Sequence, residues 1–328
     1  MQTSFIYSTS RVNTLSQYLL TKTEIDRLLV AESGEDLQNA LKETYLASFI
    51  AHVESGDVAE AIEQTVIDAK KLIHRITPYG DMFRVLWLQY DIHNLRVFAK
   101  AAAKGISYDD CVHLLSERGI YESAYLHSHA EAGTLNRLQS EWQGAYDEAV
   151  QLATAGELDR VDEVLDEAFF KMAKRVAVRS RDAFIQKYFK AVIDTYNLKA
   201  RLRYLANQDR LSAAAFVTGG SYRAEEIETK EQVFAAFQKL NGENFWDGAI
   251  QYFDETGNTT RIDARVDEYL LSIAKTASVD MFSSASLVLY YLRCRQSAAN
   301  IRTIVVGKNS GMSEEDIRAN LRLAYVND

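Results

Sequence analysis

Apolar residues recur at steps of three and four along most of the chain, which is the spacing of one face of an α-helix. For example, Leu158, Val161 and Leu165 share one stripe, and acidic residues fill the opposite side. Similar patterns run through residues 15–29, 37–50, 58–73 and 266–273. Alternation with a period of two, which marks a half-buried strand, is rare and short. The pattern therefore predicts an all-α fold.

The scarcity of proline supports this fold class. Pro78 is the only proline among 328 residues, and a proline inside a helix removes a hydrogen bond and clashes with the preceding turn. Hydrophobic residues make up 47% of the chain and charged residues 25%, which is typical of a soluble globular protein. The first residues lack the basic and apolar regions of a signal peptide, and no window reaches the about 18 apolar residues of a membrane span. We therefore expect an intracellular protein.

One short signature occurs three times around an asparagine. The copies read YDIHNLR at residues 90–96, DTYNLKA at residues 194–200 and SAANIRT at residues 297–303. Their asparagines are Asn94, Asn197 and Asn300, so that each copy follows the last by 103 residues. Self-similarity at a fixed interval indicates duplication of a structural unit.

Charged residues also repeat at fixed offsets within the signature. Two residues after the asparagine comes a cation, which is Arg96, Lys199 or Arg302. Three residues before it stands an acid in the first two copies, Asp91 and Asp194, and Ser297 in the third. Positions three apart lie on one helix face, so we expect the acid and the asparagine to bond the backbone of a neighbouring helix end or loop. Direct contact with a partner protein is the alternative.

A helix-ending turn follows the signature in two copies. Eleven residues after Asn94 and Asn300 come Gly105 and Gly311, each followed two residues later by a serine. Glycine favours the left-handed conformation that ends a helix, and serine caps the start of the next one. Because a repeat of about 100 residues has the size of a domain, we predict three similar helical domains, which we call modules 1 to 3. They cover residues 1–117, 118–220 and 221–328.

Further elements along the chain complete a family pattern. They are Tyr7, Arg11 and Val12, then Asp162, Asp166, Phe169 and Phe170, then Tyr188-Phe189-Lys190, and finally Tyr290, Tyr291, Gly307 and Lys308. Together with the three signatures, in this order and spacing, they resemble the C subunits of bacterial and archaeal V-type (A-type) ATPases, the family to which the d subunit of the eukaryotic V-ATPase belongs. The resemblance spans nearly the whole chain. The third signature departs from the family pattern, which usually has an acid before its asparagine.

The resemblance implies three similar helical domains around a pseudo-three-fold axis, forming a funnel. It also implies a non-catalytic central-stalk subunit of a rotary ATPase, without a cofactor. Such a protein sits on the membrane rotor ring and receives the end of the central shaft, which is built of D- and F-type subunits. As a socket it couples ATP hydrolysis or synthesis to the transport of H+ or Na+. The expected location is the cytoplasm, with peripheral attachment to the cytoplasmic face of the membrane through the ring.

Charge is unevenly distributed in a chain that is acidic overall. The net charge is −9 and the pI is about 5.3, which argues against nucleic-acid binding. A basic segment nevertheless follows the acid-rich residues 157–167, and its cations are Lys171, Lys174, Arg175, Arg179, Arg181, Lys187 and Lys190. We interpret the segment as a candidate surface for an acidic partner, the rotor ring or lipid head groups. The alternative is a solvated face or pairing within the module, and the acids are expected to be solvated.

No arrangement of side chains points to catalysis or to a metal site. Cys111 and Cys294 form neither a zinc motif nor a disulfide framework. His127 and His129 point apart on a helix, and residues 306–310 (VGKNS) lack the first glycine and the Ser or Thr of a phosphate-binding loop. An α-helical enzyme therefore has no support. An unrelated helical-repeat adaptor, which binds a protein in a concave groove, stays the alternative function.

Overall fold

The computed structural model describes residues 5–32, 34–53, 57–77, 80–206, 216–324 and 326. Across these residues the regular structure is helical and contains no strand, which confirms the predicted all-α class. The α-helices are α1 (Ile6–Ser16), α2 (Lys22–Val30), α3 (Glu35–Lys42), α4 (Ala47–Ile50), α5 (Val58–Ile76), α6 (Arg84–Ala103), α7 (Tyr108–Cys111), α8 (Ser123–Glu131), α9 (Trp142–Thr154), α10 (Leu158–Ser180), α11 (Ala183–Ala206), α12 (Lys230–Asn241), α13 (Glu243–Thr256), α14 (Thr260–Ala277), α15 (Ala285–Asn309) and α16 (Glu314–Ala319). Short 3-10 helices lie at Gly80–Phe83, Val112–Leu114, Leu135–Arg137 and Ala224–Glu226.

Capping residues determine several of the helix ends. Ser107 and Ser313 accept the backbone N–H groups of the residues three positions later, at 3.3 and 3.1 Å, and cap α7 and α16 as predicted. Gly105 and Gly311 have φ angles of 64° and 69°, which confirms the predicted left-handed turns. α10 ends without a glycine, because Arg181 itself takes the left-handed conformation at φ 55°. These boundaries are therefore encoded by residues close in sequence.

One compact unit contains residues 1–80 and residues 267–328. Within it, α15 packs against α1 and α5, and α16 packs against α2. Every residue from Ala285 to Leu292 is buried, so α15 presents apolar side chains all around its N-terminal half. A helix that is apolar on all sides must be surrounded by neighbours. The unit thus combines the two ends of the chain around one helix.

The second compact unit covers residues 81–266. Here α6 packs against α8, α9 and α10, while α11 packs against α10 and α12. Large aromatic side chains fill its interior. Trp142 and Trp246 are fully buried, and the ring of Trp246 lies 4.7 Å from that of Phe237 between centroids. Burial of such rings is a large apolar contribution to stability.

The two units cut across the three predicted modules. In the first unit, α15 of module 3 packs against α5 of module 1, and in the second, α6 of module 1 packs against α10 of module 2. The long helices that carry the signatures therefore make extensive contacts with a neighbouring module. The three-domain division itself stays a prediction.

Candidate functional site

The three signature asparagines make the same contact. Each side chain forms a two-way pair with the backbone of one residue that lies 20 or 22 positions later. In the first copy, Asn94 Nδ2 donates to Ser116 O over 2.9 Å, and Ser116 N donates to Asn94 Oδ1 over 2.8 Å. Asn197 pairs with Val217 at 2.9 and 2.9 Å, and Asn300 with Arg322 at 2.9 and 2.8 Å. We call each of these contacts an asparagine joint.

The joint requires an amide side chain. An asparagine carries one acceptor and one donor group side by side, so it can bond both the N–H and the C=O of a single residue, as a neighbouring strand would. All three asparagines are at most 3% exposed, and a buried backbone group that loses its partner costs about 1–3 kcal/mol. Each joint therefore fixes the returning chain to the middle of a long helix, as the repeated signature predicts.

The signature acids hold the next part of the returning chain. Asp91 accepts the N–H groups of Ile120 and Tyr121 at 2.8 and 3.1 Å. Asp194 accepts the N–H and the hydroxyl of Ser221 at 2.5 and 2.7 Å. Both acids are almost completely buried, so the N–H and O–H donors replace the water that a carboxylate normally binds. The expectation that these acids bond loop backbone is confirmed.

Two glycines complete the acid contacts, and the sequence pattern did not single them out for this role. A Cβ atom at Gly119 would collide with Asp91 Oδ1, and one at Gly220 with Asp194 Oδ1. Neither glycine has a positive φ angle, so the requirement is one of space and not of backbone conformation. The signal was available as a glycine 28 residues after Asp91 and 26 after Asp194.

The third copy replaces the acid contact by a different one. Ser297 is fully buried, and its hydroxyl donates to the Tyr45 hydroxyl over 3.1 Å. Tyr45 belongs to module 1, whereas the acids of the first two copies bind chain that follows their own helix. The degenerate position therefore contacts a residue 252 positions earlier in the chain in place of the loop that follows its own helix.

The signature cations pair with acids from a different module. Arg96 of module 1 binds two acids on α10 of module 2, with Nε 2.9 Å from Asp162 Oδ1 and Nη2 2.6 Å from Asp166 Oδ1. Lys199 Nζ of module 2 lies 2.8 Å from Asp263 Oδ1 of module 3. Each pair bridges a long signature helix to the helix of the next module.

The third cation continues this order back to the start of the chain. Arg302 Nη2 of module 3 lies 3.4 Å from Glu63 Oε2 on α5 of module 1. The pairing therefore runs from module 1 to 2, from 2 to 3 and from 3 to 1. All three predicted cations take part in contacts inside this chain.

The pair at Arg96 belongs to a larger, partly buried network. Lys100 Nζ also reaches Asp162 Oδ1 at 3.1 Å, and the Tyr196 hydroxyl donates to Asp166 Oδ2 over 2.9 Å. Burial raises the pKa of Asp166, and the nearby Arg96 guanidinium opposes that rise. Burial also raises the pKa of Tyr196, and the neighbouring Asp166 adds to the effect. The expectation that the acids of this helix are solvated is therefore wrong for Asp166, because long-range packing brings Arg96 and Tyr196 onto it. Asp162 also binds cations, but its side chain stays 47% exposed.

The predicted basic segment divides into paired and unpaired cations. Lys171 Nζ lies 2.8 Å from Glu167 Oε1, and Arg175 Nη2 lies 2.8 Å from Glu141 Oε1. Lys174 lines a cavity of about 480 Å³ together with these paired groups. Arg179 and Arg181 are exposed at the end of α10, and no carboxylate in the described part of the chain pairs with them. The role of the segment as a contact surface stays a prediction. Within the described residues, Lys174 in the middle of α10 is exposed and without an ion pair, as are Arg179 and Arg181 at its end.

A second cavity of about 580 Å³ lies between α6, α8 and α9. Cys111, His127 and Tyr146 line it, and His127 Nδ1 lies 3.5 Å from Glu131 Oε2. Burial raises the pKa of the Cys111 thiol and raises that of Tyr146 to about 12, so both groups keep their protons at neutral pH. A protonated thiol is a poor nucleophile. Neither Cys111 nor Tyr146 is thus an activated nucleophile.

Metal ligands and membrane spans can be assessed for the described residues. Among them, no three His, Cys, Asp or Glu side chains gather in a way that could hold a metal ion. Over the same ranges, no helix combines the length and the apolar character needed to cross a bilayer.

Comparison with known proteins gives a consistent result. Residues 8–320 match the model of the ATP synthase (C/AC39) subunit family. The chain is 23% identical to the C subunit of the A-type ATP synthase of Methanothermobacter thermautotrophicus over 93% of its own length and 84% of the relative's. It is 21% identical to the C subunit of the A-type ATP synthase of Haloquadratum walsbyi over 91% and 89%, respectively. It is 19% identical to the C subunit of the V-type sodium ATPase of Enterococcus hirae over 94% of both chains.

Proposed function

Since the chain belongs to the ATP synthase (C/AC39) subunit family, and is thus a non-catalytic accessory subunit of a rotary ATPase, we propose that it is the socket between the central shaft and the membrane rotor ring. In this role it receives the D- and F-type shaft subunits on one side and seats on the ring on the other. It works in the cytoplasm, attached to the membrane through the ring. Transport of H+ or Na+, with synthesis or hydrolysis of ATP, is equally compatible with this role, because the relatives' names include both a sodium ATPase and ATP synthases.

The cyclic order of the signature contacts is the observation that supports a mechanical role. Moving one charge across a membrane corresponds to about 2.3 kcal/mol per 100 mV, and several such increments load the joint between shaft and ring before a step completes. A socket under this load must resist twisting. Asparagine joints inside each module, and the ion pairs of Arg96, Lys199 and Arg302 between modules, resist it at three repeated positions.

The same contacts support the three-module organisation at residues 1–117, 118–220 and 221–328. A chain of three equivalent modules, each holding the next, suits a ring of many identical subunits better than one asymmetric domain does. The socket must also grip its partners, and a stable protein interface buries about 1,200–2,000 Å² in total.

Affinity purification of the tagged chain from native membranes tests this function. Among the captured proteins we expect the D- and F-type shaft subunits together with those of the ring. Capture of an unrelated protein, without any other part of the ATPase, would instead identify a helical-repeat adaptor. A second measurement separates coupling from catalysis: complexes assembled without the chain should keep ATP hydrolysis by the catalytic head and lose ATP-driven ion transport.

A further inference from the structure

The turn between α10 and α11 presents a cluster of cations, which we call the basic tip. It consists of Val178, Arg179, Arg181, Lys187 and Lys190, and every one of these side chains is exposed. Val178 is 61% exposed although it is a branched apolar residue. The tip therefore combines four positive charges with an apolar group at the end of a helical hairpin.

The local structure keeps these cations outward. Arg181 occupies the left-handed position that ends α10, and the Asp182 N–H donates to Ser180 Oγ over 3.2 Å. Asp182 is the one acid within residues 171–190, and its Oδ1 accepts the Ile185 N–H at 2.8 Å. The acid thus caps the start of α11.

The tip differs from two earlier cations of α10, Arg160 and Lys171, in how its charges are balanced. Arg160 Nη1 lies 2.6 Å from Glu157 Oε2, and Lys171 Nζ lies 2.8 Å from Glu167 Oε1. In the described ranges, by contrast, no acid forms an ion pair with a cation of the basic tip. The whole chain carries a net charge of −9, so this local excess of positive charge runs against the overall balance.

We infer that the basic tip docks on the anionic head groups of a phospholipid membrane. Each Lys or Arg close to an anionic bilayer contributes about 1 kcal/mol, which corresponds to about five-fold in binding. An exposed apolar side chain beside such cations adds contact with the boundary of the acyl chains. The inference rests on the proposed function for the nearness of a membrane and extends it by naming a lipid contact.

The exposure of the tip favours lipid over an acidic protein segment. Binding of a specific peptide uses a groove that surrounds the ligand's side chains. The tip lies where α10 ends and α11 begins, its exposed long side chains belong to both helices, and none of its residues lines either of the two cavities described above. Such an arrangement matches a planar layer of mobile negative charge, which adapts to the cations without a fixed geometry.

Sedimentation of the purified full-length chain with vesicles tests the inference. The vesicles consist of phosphatidylcholine alone or with about 30% phosphatidylserine, which gives the surface its negative charge. We expect binding to the phosphatidylserine vesicles only, and loss of that binding at high salt because exposed charges are then screened. The double variant R179Q/K187Q should bind about 25-fold more weakly, at about five-fold for each lost cation.

A matched variant provides the control. R160Q/K171Q removes the same amount of charge, both cations lying on α10, at positions where a neighbouring glutamate already balances each cation. It should bind within about two-fold of the unchanged chain, since paired surface charges contribute little. Both variants should keep the circular dichroism spectrum and the melting temperature of the unchanged chain, because all four positions are exposed.

Three outcomes overturn the inference. These are equal binding to both kinds of vesicle, no binding to either, and equal loss in the two double variants. If R179Q/K187Q instead fails to purify with the ATPase while the unchanged chain ignores vesicles, the tip binds an acidic protein. If the chain does not bind vesicles but still captures the shaft and ring subunits, the lipid contact is rejected and the proposed function stands. Vesicle binding without capture of those subunits rejects the proposed function.

Discussion

At a buried asparagine, the side chain must satisfy a donor and an acceptor together, and few replacements do both. Asn94, Asn197 and Asn300 meet this requirement by pairing with one backbone residue each. An aspartate has the same shape but no donor, and it adds a charge in a place without water. The recurrence of asparagine at an interval of 103 residues is explained by this chemistry.

Asn197→Asp should lower the free energy of unfolding by about 3 kcal/mol, because the Val217 carbonyl loses its donor and a carboxylate becomes buried. Urea unfolding of the full chain measures the change. Asn258→Asp is the matched control, since Asn258 is exposed and its Oδ1 accepts from both the N–H and the hydroxyl of Thr260. An aspartate serves equally there, and a similar loss in both variants would contradict the role of the amide.

Gly220→Ala should lower the free energy of unfolding by about 2 kcal/mol, because its Cβ would displace the Asp194 carboxylate from its donors. Gly248→Ala should instead raise it by about 1 kcal/mol, since Gly248 lies inside α13 with open space around it and alanine favours helix. Opposite signs in urea unfolding are the expected result. If both variants changed the free energy of unfolding in the same direction, lack of space for a Cβ atom would not be the reason for glycine at position 220.

At the scale of elements, the sequence predicted the features that depend on residues close to one another in the chain. The helices followed from apolar spacing, the ends at Ser107 and Ser313 from capping, and the asparagine joints from the repeat. The partners of Arg96, Lys199 and Arg302 were not predictable, because each lies more than 60 residues away and any exposed acid could fill the role. The interhelical turns also vary: where module 2 has the basic tip, the α14–α15 turn exposes Met281 and Phe282.

Arg96→Met should weaken the contact between α6 and α10 in a way that depends on pH. Burial already raises the pKa of Asp166, and loss of the Arg96 guanidinium should raise it further. A raised pKa in the folded state means that folding retains a proton, so stability is lost as pH rises through that pKa. We expect the free energy of unfolding of the variant to fall below that of the unchanged chain by about 2 kcal/mol at neutral pH, and by less near pH 4.

Urea unfolding between about pH 4 and pH 7 measures this difference. The double variant R96M/D166N removes the titrating carboxyl, so its difference from the unchanged chain should vary much less with pH than that of R96M. Arg160→Met is the exposed control, since its partner Glu157 is half exposed, and surface pairs contribute about 0–1 kcal/mol. A pH-independent loss in R96M would contradict the assignment to Asp166.

At the scale of the whole molecule, the compact units and the predicted modules are different divisions of one chain. Residues 1–80 pack with residues 267–328 because α15 lies against α1 and α5. Periodicity shows which residues of a helix are buried, but not which helix buries them. The packing of residues 1–80 with residues 267–328 could therefore not be predicted from the sequence. The ion pairs of Arg96, Lys199 and Arg302 likewise join helices of different predicted modules.

If the chain transmits torque as proposed, it should fail mechanically before it fails to fold, which gives a test in the assembled ATPase. Asn197→Asp loosens one joint while the catalytic head is unchanged. In vesicles that carry the reconstituted complex, ATP hydrolysis should stay near that of the unchanged complex, while ion transport per ATP falls by at least about two-fold, because a softer joint yields under the load of each transported charge. Asn258→Asp should leave the ratio unchanged. If both variants transport ions as efficiently as the unchanged complex, the asparagine joint stabilises the fold without carrying the load.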